Sequence, residues 1–160
     1  MSTPGTAAHV TRTATIHLLG PVERVFPLFT PLGEKDWAEG WNPQLIYPPS
    51  GAPEVGAVFT TEHPGDSSAT WIIVDYAPEK GQISYARVAV ESHAGLIWVQ
   101  CSDSADGHTL ATITYSLTAL GEAGNRFLAH LSESHYREWM SSWESAINRF
   151  LAHAGEGVRG

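Results

Sequence analysis

The 160-residue chain has one cysteine, Cys101. No intrachain disulfide can form, and no thiolate cluster can hold a metal. Basic residues are scarce, with 9 Lys and Arg against 17 Asp and Glu and a formal net charge of −8. No basic stripe stands out, so nucleic acid is not an expected partner. No apolar run approaches the ~20 residues of a membrane span. Residues 1–13, MSTPGTAAHVTRT, lack the basic-then-apolar pattern of a secretory leader, and the cytoplasm is the expected compartment. Common catalytic signatures are missing too: there is no H-E-x-x-H, G-x-S-x-G, Walker loop or G-x-G-x-x-G. His130 and His135 lie about 140° apart around a helix and do not converge, so no metal site and no cofactor is expected. Repeats and low-complexity blocks are absent. One domain spanning 1–160 is the simplest division, with a core of about 9–154 and frayed ends at 1–8 and 155–160.

What the chain does have is a long amphipathic stretch near its C-terminus. Residues 125–153, NRFLAHLSESHYREWMSSWESAINRFLAH, contain no Pro and no Gly and read as one helix. Asn125 is the expected N-cap and Gly155 the stop. At 100° per residue, Leu128, His135, Trp139, Trp143, Ala146 and Phe150 share an arc, with Leu131, Tyr136 and Ile147 at its edges. Glu133, Arg137, Glu144, Asn148 and Arg149 fall outside it. A rod with so wide an apolar face needs a large curved partner.

The rest of the chain supplies a sheet. Val10 to Leu18 alternates Val10, Ala14, Ile16 and Leu18 against Thr11, Thr13, Thr15 and His17, which is a strand with one buried face. Pro21 opens a short helix, PVERVFPLF, that Pro27 should shorten or kink. GEKDWAEGW, residues 33–41, reads as a second short helix or turn. A brief strand follows at Gln44 to Tyr47. Five more are expected at Ala57–His63, Thr70–Ala77, Gln82–Ala89, Ala94–Ser102 and Thr109–Leu120, separated by turn-forming segments such as HPGDSS and DSADG. In the last strand Ala111, Ile113, Tyr115 and Leu117 oppose Thr112, Thr114, Ser116 and Thr118. Short connections predict an antiparallel meander. The fold class is α+β: a bent seven-stranded antiparallel sheet wrapped around a long C-terminal helix, with two short helices after the first strand. A bent sheet gripping a helix leaves room for a pocket between them.

PVERVFPLFTP (21–31), the W-x-x-x-G-W-x-P run from Trp37 to Pro43, GAVFTT (56–61), TWIIVDYAPEKGQISYARV (70–88), TITYSLTAL (112–120) and GN…EWMSSWESAINRFL (124–151) carry a resemblance over nearly the whole chain. It resembles the START-like (SRPBCC) superfamily of helix-grip proteins, and within it the bacterial polyketide cyclase/dehydrase-like proteins. The resemblance implies the helix-grip fold and a cavity for lipids, sterols, polyketides or quinones. It names no universal catalytic motif, so enzyme, carrier and sensor stay open.

The six tryptophans are the main compositional signal. Ordinary core filling and an aromatic-lined cavity both fit them. Trp139 and Trp143 sit four apart on the helix face that meets the sheet, while Trp37 and Trp41 lie where a loop would close one end. Trp71 and Trp98 are on strands of open facing; Trp98 is read inward, although Ile97 and Val99 suggest the other phase. Phe59 and Tyr85 join the expected lining, with Thr61 and His63 as further polar points on the Phe59 strand. Catalytic roles, if the protein is an enzyme, fall to His135, Arg87 and Tyr115. His135 would move a proton, and Arg87 and a tyrosine would polarise a carbonyl. The alternatives are a satisfied core histidine and a plain ion pair of Arg87 with an acid. Cys101 reads as an inert core residue. The expected partner is a small hydrophobic ligand bound by a monomer or homodimer, with a cyclase/dehydrase-like enzyme as the alternative.

Overall fold

The computed structural model describes residues 7–62 and 68–157. His63 and most of the turn expected at 63–68 lie outside those residues. Seven strands form one antiparallel sheet: β1 (His9–Leu18), β2 (Gln44–Tyr47), β3 (Val58–Thr61), β4 (Ala69–Ala77), β5 (Gln82–Ala89), β6 (His93–Asp103) and β7 (Thr109–Ala119). The order across the sheet is β1-β7-β6-β5-β4-β3-β2. Strands β2 to β7 are the expected meander, and β1 closes the row against β7 with Ile16 opposite Ala111. Between β1 and β2 the chain makes one α-turn, α1 (Val22–Val25), then a tighter 3₁₀ turn at Phe26–Phe29, and another at Gly33–Asp36. Pro27 lies where α1 gives way to the tighter turn, as its missing N–H and fixed φ require.

The long C-terminal helix is not continuous. α2 spans Glu122–Ala129 and α3 spans Glu133–Gly157, with His130, Leu131 and Ser132 off the helical path between them. Ser132 makes the break: its Oγ accepts the His135 N–H at 3.1 Å and its carbonyl the Tyr136 N–H at 2.9 Å, which is N-cap chemistry. Asn125 lies inside α2, where its Oδ1 accepts the Ala8 N–H at 3.0 Å and ties the helix to the start of β1. Gly155 does not stop α3 either, which runs on to Gly157.

Strand β1 sits at the edge of the sheet, and its unpaired backbone would template aggregation if left open. α3 covers it. Glu144 accepts the His17 N–H at 2.7 Å, and Asn148 accepts from Leu19 N–H and donates to the His17 carbonyl. Arg12 donates to the Leu131 carbonyl at 2.8 Å and so pins the break between the helices. The fully buried residues of α3 are Tyr136, Met140, Ile147 and Leu151, while Trp139, Trp143, Ala146 and Phe150 flank them partly buried. The buried axis is therefore one residue removed from the expected arc. Among the described residues, no helix is long and apolar enough to cross a membrane.

Candidate functional site

The site begins with a local close approach. Thr30 Oγ1 donates to the Pro27 carbonyl and accepts the Gly33 N–H, while the Glu34 N–H reaches the Thr30 carbonyl at 3.0 Å. A Cβ on Gly33 would meet the Pro27 carbonyl oxygen at 1.8 Å, so only glycine lets the two tight turns lie on each other. The chain leaves this contact with Glu34, Trp37 and Trp41 at helical spacing on one side. They close one end of a cavity of about 380 Å³ between the sheet and the N-terminal half of α3.

Two aromatic walls bound that space. On the sheet side Trp71 stacks on Phe59 (5.7 Å between centroids, 8° between planes), with Trp41 and Tyr85 edge-on to Trp71 at 5.6 and 5.8 Å. On the helix side Trp143 meets Trp37 at 5.2 Å and Trp139 at 5.1 Å, and Tyr115 meets Trp139 at 4.9 Å. Sheet register explains the first wall. Phe59, Trp71, Arg87 and Gly95 face one another in one row across β3 to β6, and Tyr85, Ile97 and Tyr115 in the next across β5 to β7. Three indole N–H groups are consumed by the protein itself: Trp37 donates to the Leu28 carbonyl, Trp41 to the Pro31 carbonyl and Trp71 to Thr61 Oγ1. Those indoles are locked by their N–H bonds and offer the cavity ring surface.

Few polar groups interrupt the aromatic lining. Arg87 stands beside Trp71, its guanidinium carbon 4.8 Å from the ring centroid. The Tyr85 hydroxyl donates to the Phe29 carbonyl at 2.6 Å and is spent on structure. Burial, with the field of Glu34 next, raises its pKa well above the ordinary range. Tyr115 is only 4% exposed and faces the cavity, and no hydrogen bond reaches its hydroxyl from the described residues. Burial also raises Tyr115, with Arg87 opposing and Glu34 reinforcing the shift. Glu34 keeps some accessible surface, but that surface opens on the cavity, and burial pushes its carboxyl well above the usual carboxylate range. Perturbed carboxyls of this kind cluster at functional sites.

Trp37, Trp41, Trp71, Tyr85, Arg87, Tyr115, Trp139 and Trp143 all line the cavity. Four expected residues do not. Trp98 is 40% exposed on the outer face of β6, because Ile97, Val99 and Cys101 take the inward phase of the strand. Phe59 and Thr61 are buried behind Trp71, where one stacks on it and the other accepts its N–H. His135 sits in the first turn of α3, exposed, and borders a shallow outer groove with Phe127, His130, Leu131 and Trp139. The new helix start at Ser132 turns its side chain away from the cavity. Glu34, Glu39 and Glu62 line the space without having been expected there. The Glu34-x-x-Trp37-x-x-x-Trp41 spacing is the signal that could have found the first of them. Burial lifts the Cys101 thiol to about 12, so it is not a nucleophile at neutral pH. Among the described residues, no three His, Cys, Asp or Glu side chains converge as metal ligands.

No family model matches the chain, and no curated protein matches it. Solved structures do. An uncharacterized protein from Rhizobium leguminosarum aligns at 18% identity over 90% of this chain and 97% of its own, with a TM-score of 0.61. Norcoclaurine synthase from Thalictrum flavum aligns at 9% identity over 92% and 88%, with a TM-score of 0.67. Ara h 8.0201 aligns at 13% identity over 91% and 97%, with a TM-score of 0.61. The chain has the helix-grip fold. That matches the fold implied by the START-like resemblance, and at these identities it is the fold that is shared.

Proposed function

We propose that this protein binds a small, mainly hydrophobic ligand with a flat or aromatic body in the cavity between the sheet and α3. The observation that carries the reading is the lining: among the described residues seven aromatic side chains surround a space of about 380 Å³, with the Glu34 carboxyl at its wall and a Tyr115 hydroxyl that no described residue hydrogen-bonds. Such a volume falls in the range of small-molecule sites, and few convergent polar groups in an apolar enclosure fix orientation. Lipid, polyketide and aromatic metabolite all fit this description. Saturable quenching of tryptophan emission by naphthol, with a micromolar Kd (about 8 kcal/mol), is the expected result. A flat titration across naphthol, fatty acids and aromatic polyketides would rule the reading out.

Glu34 favours a second reading, a cyclase/dehydrase-like enzyme. Its raised carboxyl, in the same lining as the Tyr115 hydroxyl, is suited to giving a proton to, or taking one from, a templated ketone. Arg87 would polarise a carbonyl in the same cavity. Turnover of a linear polyketone that falls about 100-fold in Glu34→Gln, with binding kept, is the result that would place the enzyme reading first.

A further inference from the structure

We propose that the ligand of this cavity carries a positive charge: an amine on an aromatic or apolar body, its nitrogen at Glu34. The proposal rests on the ligand-binding reading above and names the chemical class that the site takes.

Charge at the lining is one-sided. Among the described residues the lining carries Glu34, Glu39 and Glu62 against one cation, Arg87, and no Lys or His. Seven aromatic rings add to the same sign, because the face of each ring is the negative side of its quadrupole. The enclosure already holds one cation in this manner, the Arg87 guanidinium over Trp71. An anionic ligand would enter against Glu39 and Glu62 and would oppose ionisation of Glu34. A neutral one would leave Glu34 protonated and gain a hydrogen bond from it but no charge pairing.

Glu34 itself has no counter-ion among the described residues. None of its side-chain atoms has a hydrogen bond or ion pair among the described residues, and burial alone accounts for its raised pKa, with no offset from Arg87. Among the described residues the titratable and charged groups around it are Tyr85 and Arg87 of β5, Tyr115 of β7, Glu39 and Glu62 at the lining, and Lys35 and Asp36 beside it on its own turn; α3 contributes the rings of Trp139 and Trp143. The Tyr115 hydroxyl, on the lining of the same space and without a hydrogen-bond partner among the described residues, is an acceptor for an ammonium N–H. A bound cation would stabilise ionised Glu34, so the carboxyl proton passes to solvent as the ammonium arrives. Affinity for an amine should therefore rise with pH up to the raised pKa of free Glu34.

The test is calorimetry of the full chain at neutral pH and low salt with three matched probes: phenethylamine, phenethyl alcohol and hydrocinnamate. Phenethylamine should bind about tenfold tighter than the alcohol, hydrocinnamate weakest. Repeating the amine titration below the raised pKa of free Glu34, in buffers of different ionisation enthalpy, should reveal proton release that the alcohol does not cause. Glu34→Gln should bring the amine to within about threefold of the alcohol and abolish the release. If that variant does not fold, the wild-type ranking and the proton count decide. An alcohol or hydrocinnamate that binds as tightly as the amine overturns the charge assignment and leaves the pocket standing. An amine preference unchanged in Glu34→Gln overturns the role of Glu34. If none of the three binds, the pocket reading and this inference fall together.

Discussion

The C-terminal half of α3 meets the sheet through Ile147 and Leu151, both buried, beside the equally buried Leu18 and Val25. Even the Gly20 backbone is close there: an added Cβ would find Val25 at 3.4 Å and Leu151 at 3.8 Å. The N-terminal half of the same helix presents Trp139 and Trp143, partly buried, to a cavity of about 380 Å³. One end is close-packed with aliphatic side chains; the other is held open by large rings braced edge-to-face. Rings of this kind keep a space open because they are stiff and brace one another, whereas aliphatic side chains would collapse into it. The contrast teaches that one apolar helix face can serve stability at one end and recognition at the other.

Four substitutions would break or sharpen that contrast. Ile147→Ala should have the largest effect, a loss of roughly 2–5 kcal/mol in urea unfolding, with naphthol affinity of the folded protein kept. A loss below about 1 kcal/mol would mean that this end is not close-packed. Trp143→Ala, which removes a ring touching Trp37, Tyr115 and Trp139, should weaken naphthol binding about tenfold or more while costing less stability than Ile147→Ala. Glu34→Gln should raise the melting temperature at neutral pH. The sign follows from its raised folded pKa: the folded state keeps its proton where the unfolded chain has lost it, so stability falls as pH rises through that window. The gain should vanish below the ordinary carboxylate pKa, and a gain independent of pH would contradict the burial argument. His135→Gln should be the smallest change, within about 0.5 kcal/mol and with binding untouched. A large loss of binding there would mean that the outer groove, not the cavity, takes the ligand.

Much of the fold was legible because period-2 alternation is a local signal. In β7 the inward set of Ala111, Ile113, Tyr115 and Leu117 is as buried as the pattern predicts. The helix break was not legible from Pro or Gly, since there is none between 125 and 153; it is made by a serine cap and an arginine from β1. The helix face was misjudged by one residue for a related reason. Tryptophans weigh heavily in any hydrophobic projection, but Trp139 and Trp143 border a space while Tyr136 and Met140 fill the core. That same weight pulled Trp98 inward against the phase of Ile97 and Val99. Of the site, the ring lining could be read from composition and spacing. The burial of the Glu34 carboxyl could not, because it depends on strands β5 and β7 and on α3 meeting the 33–36 turn, and no local pattern records that meeting.

The central claim is that the indole rings around the cavity, and not those elsewhere, meet the ligand. Trp98 on the outer face of β6 is the internal control. Two-dimensional NMR of the six indole N–H resonances during a titration with phenethylamine or naphthol tests it most directly. The account predicts saturable shifts for Trp37, Trp41, Trp71, Trp139 and Trp143 with one common Kd, and none for Trp98. Shifts at Trp98 matching the others, or a spectrum that does not move, would contradict it.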